Sequence, residues 1–105
     1  MEESIQFFAN YASGILSIQN PGNVPVYSFK VETRGFGSFE TFDLSDLDSS
    51  WPAVGLKQGG TYSSTDLSAE IGGAEEITLI PVLIGTSKGK QKTHICDERF
   101  GERVV

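Results

Sequence analysis

The sequence predicts an all-β protein: an antiparallel β-sandwich of seven to eight short strands, with a short helical segment at the amino terminus. Three observations predict this class. Residues 75–85 are apolar on both faces of an extended chain, other stretches alternate apolar and polar residues, and turn residues recur roughly every 8–12 positions. The 12 glycines and 4 prolines suit such turns. With 105 residues, the chain is long enough for one domain that buries a core without disulfides.

Residues 75–85 form the predicted central strand. Its apolar side chains divide between two faces, with Ile77, Leu79 and Leu83 on one and Ile80, Val82 and Ile84 on the other. This pattern indicates a strand covered on both sides. Pro81 donates no ladder hydrogen bond, so we expect a bulge or turn there. The predicted core consists of Tyr27, Phe29, Val31, Ile77, Leu79 and Ile80.

Shorter strands surround this central one. We predict them at residues 14–20, 24–34, 38–44, 54–57, 61–67, 91–97 and 102–105. The first contributes Leu16 and Ile18 to the interior. The sequence Asn20-Pro21-Gly22-Asn23 is a strong turn signal, so the first two strands are predicted to form a hairpin. The strand at 61–67 is rich in serine and threonine, which places it at a sheet edge.

Residues 4–12 differ from the rest because their apolar side chains follow a helical spacing. Ile5 and Phe8 share one helical face, and Phe7 and Tyr11 lie beside it at positions i and i+4. Two interpretations stay open: this segment is a first core element, or it is the end of a longer helix that continues upstream. The predicted division is residues 1–13 for the helical segment and 14–105 for the sandwich.

The second interpretation makes the amino-terminal segment an interaction surface. Exposed apolar side chains seek a partner, so we expect self-association with other protein subunits through Ile5, Phe7, Phe8 and Tyr11. Trp51, next to Pro52, is a further candidate for an exposed partner-binding patch. The other interpretation of Trp51 is that it plugs an open end of the sandwich.

Composition excludes some classes of partner. The formal net charge of −6 and the pI near 4.6 argue against nucleic acid and against an anionic membrane surface. A membrane contact is expected only through an amino-terminal helix upstream of the printed residues. The acidic start Met1-Glu2-Glu3 does not resemble a signal peptide. The single cysteine excludes an internal disulfide framework.

His94 and Cys96 are the only histidine and the only cysteine, and they face the same side of a predicted strand. Two ligands do not make a zinc site, which needs four, or three and a water. Their spacing of about 7 Å along a strand is too wide and too rigid for proton transfer. We expect a structural role, with Cys96 as a small buried hydrophobe. No catalytic residue and no cofactor site is predicted.

Asp43, Asp46 and Asp48 lie close together in an acidic loop over residues 45–53 and the strand before it. Such a density of oxygen ligands is compatible with calcium, but the EF-hand spacing is absent. We expect these carboxylates to form turns by bonding their own backbone, and no metal is predicted. Calcium binding is the alternative.

Three patterns occur in one order along the chain. A strand ends at Asn20-Pro21-Gly22-Asn23, the turn Gln58-Gly59-Gly60 follows Leu56, and Ile80-Pro81-Val82-Leu83 precedes Cys96 and a short β tail. In that order, over residues 14–105, they resemble the soluble domains of archaeal type IV pilin-like and archaellum-associated proteins. The resemblance implies an Ig-like sandwich outside the cell, preceded by a hydrophobic helix that anchors or polymerises. It implies no catalytic residues.

These observations lead to two hypotheses of different class. The first is a non-enzymatic structural or adhesion module at the cell surface, part of a pilin-like or archaellum-associated filament. The alternative is an Ig-like module that binds a ligand or calcium through loop 43–51. An enzyme ranks third because no catalytic motif is present.

Overall fold

The computed structural model describes residues 6–22, 24–35, 37–52, 54–87, 90–96 and 101–105. In chain order its elements are β1 (Phe8–Ala12), β2 (Ile15–Gln19), β3 (Ser28–Gly35), β4 (Ser38–Asp43), α1 (Leu44–Leu47), β5 (Thr61–Ser63), α2 (Ser68–Ile71), β6 (Glu76–Ser87), β7 (Lys90–Cys96) and β8 (Glu102–Arg103). Sheet A has the order β1-β2-β5, and sheet B has the order β4-β3-β6-β7, with β8 paired to β6. All described pairings are antiparallel.

Strand β6 occupies the centre of sheet B, as the sequence predicts. It pairs with β3 on one edge and with β7 and β8 on the other. Both of its faces are covered: Ile77, Leu79, Ile80 and Val82 are all buried. Of the six predicted core residues, Tyr27 alone is only half-buried.

The prediction of a bulge or turn at Pro81 is wrong. The register with β3 runs without interruption through the pair Phe29 and Pro81, and the irregularity in β6 lies further on, between Ile84 and Thr86. On the other edge, β8 pairs as far as Leu79 and β7 pairs from Val82 onward. Pro81 lies between these two pairings, so its missing N–H interrupts neither of them in the described part of the structure.

The two sheets enclose one hydrophobic core. Sheet A contributes Leu16, Ile18 and Tyr62, and sheet B contributes Phe29, Val31, Ile77 and Leu79. The inward direction predicted for Leu16 and Ile18 is confirmed, since both are almost fully buried. Two antiparallel sheets that share a core are compatible with a β-sandwich.

The predicted hairpin between the strands before and after residues 20–23 is wrong. β2 pairs with β1 and β5, whereas β3 pairs with β4 and β6, so the chain crosses from sheet A to sheet B at this turn. Asn20 is buried there, and its Nδ2 donates to the carbonyl oxygens of Val24 and Leu56 at 3.0 Å each. Its Oδ1 accepts from the N–H of Gly22. The side chain of Asn20 therefore satisfies the backbone at the crossing.

The predicted amino-terminal helix is also wrong where the chain is described. Phe8–Ala12 form β1, which pairs with β2 from Phe8 opposite Gln19 to Ala12 opposite Ile15. A tight turn at Ser13 and Gly14, both at positive φ, joins the two strands. The predicted boundary between residues 13 and 14 therefore falls inside a hairpin. Residues 1–5 lie outside the described part of the chain.

Candidate functional site

The residues predicted to bind partners occupy different environments. Phe8 is exposed, with 61% of its surface accessible, whereas Phe7 is only 6% exposed and belongs to the core. Tyr11 is half-buried and packs against that core. Ile5 lies outside the described residues. Of the four side chains predicted to form an interaction surface, Phe8 is therefore the one that is strongly exposed within the described part of the chain.

Tyr11 points to the inner face of β1 beside α2. Its hydroxyl oxygen is buried and has no hydrogen-bond partner among the described residues. Burial raises the pKa of Tyr11, and the negative charges of Asp66 and Glu70 raise it further. The Tyr11 hydroxyl is therefore neutral at physiological pH, and it is buried and so not available to a partner on the surface.

The prediction that Trp51 forms an exposed patch is wrong. The side chain is 6% exposed, and its Nε1 donates to the carbonyl oxygen of Tyr27 at 2.9 Å. Its ring meets Phe29 edge-on at a centroid distance of 5.9 Å and Tyr62 at 4.8 Å. Phe7 contacts Phe29 in the same way at 4.9 Å. These four aromatic rings connect sheet A to sheet B inside the core.

Asp48 is a buried carboxylate that accepts four hydrogen bonds. It is 2% exposed and lies just after α1. Its Oδ1 accepts from the backbone N–H of Ser50 at 2.9 Å and from the Ser50 hydroxyl at 2.7 Å. Its Oδ2 accepts from the Tyr62 hydroxyl and from the N–H of Thr65 at 3.2 Å. The carboxylate thereby ties the loop after α1 to β5.

The hydrogen bonds of Asp48 determine its charge state. Burial by itself would raise the pKa of the carboxyl, but the donors from Tyr62, Ser50 and Thr65 outweigh it and lower the pKa to about 2. Burial, followed by the hydrogen bond and charge of Asp48, raises the pKa of Tyr62. Asp48 is therefore ionised and Tyr62 neutral over the physiological range.

The three aspartates considered for calcium are not arranged as a metal site. Asp43 is the N-cap of α1, and its Oδ1 accepts from the Ser28 hydroxyl at 2.7 Å and from Ser45. Asp48 points inward, and Asp46 is exposed. Within the described ranges, no group of three or more histidine, cysteine, aspartate or glutamate side chains is close enough to hold a metal ion. The predicted turn-forming role is confirmed for Asp43 and Asp48.

His94 and Cys96 belong to β7, whose backbone pairs with β6 through His94 opposite Ile84 and Cys96 opposite Val82. The structural role predicted for their side chains lies outside the described part of the structure.

Sequence reasoning missed the outer face of sheet A. Cross-strand pairing places Phe8, Gln19 and Thr61 in one row and Asn10, Ser17 and Ser63 in the next. These side chains line a shallow groove of about 260 Å³. The signal was present as alternation in β1 and β2, but the helical assignment of residues 4–12 concealed it.

A second groove, of about 250 Å³, lies between the β3–β4 turn and α2. Arg34, Glu40 and Glu70 contribute to its lining, and the guanidinium of Arg34 lies over the Phe39 ring at 5.5 Å. This groove is lined by side chains of both positive and negative charge, whereas the groove on the outer face of sheet A is lined by uncharged residues.

No helix among the described residues has the length and apolar character needed to cross a membrane. Comparison of the chain with protein-family models, with curated proteins and with solved structures finds no match. The fold and site define a mostly β protein of two antiparallel sheets.

Proposed function

We propose that this chain is a non-enzymatic structural or adhesion module with an Ig-like sandwich, and that it assembles with further copies through its amino-terminal strand. In this proposal it acts outside the cytoplasm, as the soluble domain of a pilin-like or archaellum-associated filament protein. The sequence patterns over residues 14–105 support that relationship, and the geometry of sheet A supports the assembly.

The observation that carries the proposal is the open edge of β1. In the described structure, β1 pairs with β2 on one side only, and β5 likewise pairs only with β2. An open edge presents unpaired backbone groups, and natural proteins protect such edges with lysine, proline or bulges. Neither β1, with the sequence FANYA, nor β5, with TYS, contains a charge or a proline.

Two open edges on one sheet suit a repeating assembly. If β1 of one copy pairs with β5 of the next, each subunit uses both edges and the contact is heterologous, so it propagates instead of closing. Pairing of β1 with β1 would instead close into a dimer. By contrast, β4 at the edge of sheet B carries Glu40 and Asp43, which disfavour pairing there.

The alternative, binding through loop 43–51, has less support. Trp51 is packed in the core, and both oxygens of Asp48 accept hydrogen bonds from the protein. A ligand at this loop would have to displace these interactions.

The test is self-association measured by analytical ultracentrifugation over a concentration series. The wild type is expected to grow in mean mass with concentration. Ala12→Lys on β1 and Ser63→Lys on β5 each block one edge, so each alone is expected to remain monomeric. An equimolar mixture of the two retains one intact β1 and one intact β5 per pair and is expected to form dimers.

The matched control is Thr41→Lys, an exposed position on β4 in sheet B, which is expected to assemble like the wild type. A wild type that remains monomeric at every concentration would overturn the proposal. A Ser63→Lys variant that dimerises by itself would also overturn it, since that result indicates β1–β1 pairing, and so would a mixture of the two variants that remains monomeric.

A further inference from the structure

The outer face of sheet A combines one apolar ring with an array of uncharged polar groups. Phe8, Gln19 and Thr61 form one row across the three strands, and Asn10, Ser17 and Ser63 form the next. Neighbouring strands lie about 4.8 Å apart and alternate residues along a strand about 7 Å apart, so the two rows span about 10 Å by 7 Å. That area matches one or two sugar rings.

The polar groups of this face have unused hydrogen-bonding capacity. Among the described residues, the side chains of Asn10, Ser17, Gln19, Thr61 and Ser63 take part in no hydrogen bond within the protein. Elsewhere serine hydroxyls are consumed internally: those of Ser28, Ser45 and Ser50 donate to aspartate oxygens. Amides and hydroxyls both donate and accept, which is the capacity that a ligand rich in hydroxyl groups requires.

The charge of the face restricts its ligand. The chain carries a formal net charge of −6, yet no residue lining this groove is charged. An anionic ligand would find no cation there, and a cationic ligand would find no carboxylate to pair with. The backbone groups of the central strand β2 are already used in the sheet, so a peptide strand laid across the face has only side chains to bind.

The exposed ring of Phe8 supplies the apolar part of the site. The face of an aromatic ring carries partial negative charge and attracts the weakly positive C–H groups of a flat apolar surface. Sugar rings present such a surface on one side and hydroxyl groups around their rim. A groove of about 260 Å³ is small for a ligand site, which favours a ligand of one or two rings over a larger one.

We propose that the outer face of sheet A binds a neutral carbohydrate. One sugar ring stacks on Phe8, and its hydroxyl groups hydrogen-bond to Gln19 and Asn10 and to the hydroxyls of Thr61 and Ser63. This site is independent of the assembly proposed above, because it uses side chains on the face of the sheet, whereas assembly uses the backbone at its edges.

The experiment screens the protein against an array of neutral oligosaccharides built from glucose, galactose, mannose and N-acetylglucosamine, with sulfated and sialylated oligosaccharides as the charged comparison. The strongest neutral binder is then measured by isothermal titration calorimetry. Phe8→Ala is expected to weaken its affinity about tenfold or more, by loss of the stacking surface. Gln19→Ala is expected to weaken it about three- to tenfold, by loss of one or two hydrogen bonds.

The control is Phe39→Ala, which removes a second phenylalanine that is strongly exposed in the described structure, on β4 of sheet B, and is expected to leave the affinity unchanged. Circular dichroism of each variant establishes that it is folded. The inference is overturned if no neutral oligosaccharide binds at concentrations up to about 10 mM. It is equally overturned if charged oligosaccharides alone bind, or if folded Phe8→Ala binds as well as the wild type.

Discussion

Replacing Asp48 by asparagine isolates the contribution of a buried, ionised carboxylate to stability. The hydrogen bonds to Asp48 lower its pKa from the ordinary 3.8 to about 2. Each pKa unit corresponds to about 1.36 kcal/mol, so the ionised form contributes about 2.5 kcal/mol to the free energy of unfolding at neutral pH. Asparagine also replaces one of the two acceptor oxygens by an amide group that faces hydrogen-bond donors, which adds a pH-independent cost of about 1–3 kcal/mol.

The pH dependence follows from the direction of this pKa. Because the folded-state pKa of Asp48 is lower than the unfolded one, the stabilisation is fully present above the unfolded value. It is lost as the pH falls from about 5 through about 2. The difference in unfolding free energy between wild type and Asp48→Asn should therefore be largest near pH 7 and shrink by about 2 kcal/mol by pH 2. Urea denaturation followed by circular dichroism at several pH values measures it.

Two further variants make the test specific. Tyr62→Phe removes one donor, so the pKa of Asp48 should rise and the loss of stability on acidification should begin at higher pH. Asp46→Asn replaces an exposed carboxylate nearby and should change the unfolding free energy by less than about 0.5 kcal/mol. A wild-type to Asp48→Asn difference that stays constant between pH 7 and pH 2 would refute the reasoning.

Three other outcomes are expected. Leu79→Ala in the centre of sheet B should cost about 2–5 kcal/mol in chemical denaturation, whereas Phe39→Ala at an exposed position should cost about 0.5 kcal/mol or less. Deleting residues 1–12 removes β1 together with the core residue Phe7, so the shortened chain should lose its cooperative transition or unfold at much lower denaturant; a transition near that of the parent would contradict this. Added calcium should leave the melting temperature unchanged, and a rise that Asp46→Asn abolishes would contradict that expectation.

The sequence predicted strands most reliably where the side chains on both faces are apolar, because such a short run fits only a strand that is covered on both sides. The run containing Leu79 is apolar on both faces, so it was assigned correctly as a central strand despite Pro81. The segment containing Phe7 and Tyr11 was assigned wrongly because a separation of four residues fits a helical face and also the same face of a strand. The strand that it pairs with, β2, was predicted correctly, but the local sequence does not show which strands pair with each other.

The sequence drew attention to Asp48 and Trp51, but it did not predict that their side chains are buried or what they contact. Nothing in the local sequence distinguishes an inward Asp48 from an outward Asp46, because the difference arises from the distant hydroxyl of Tyr62. The same holds for Trp51, whose ring is covered by Phe29 and Tyr62 from two different sheets. The turn at Asn20 was recognised, but a turn signal gives a change of direction and not the sheet that the next strand joins.

The crossing of the chain between the sheets has a consequence for the order of folding. Ser17 pairs with Ser63 and Ser28 pairs with Val82, so each sheet is completed only when a strand from the later half of the chain arrives. Pairings of this kind close long loops and belong to domains that fold in about milliseconds to seconds. During synthesis, β1 and β2 emerge as an uncharged two-stranded hairpin, which is marginal in water by itself. Until β5 is translated, the edge of β2 that β5 will cover stays unpaired.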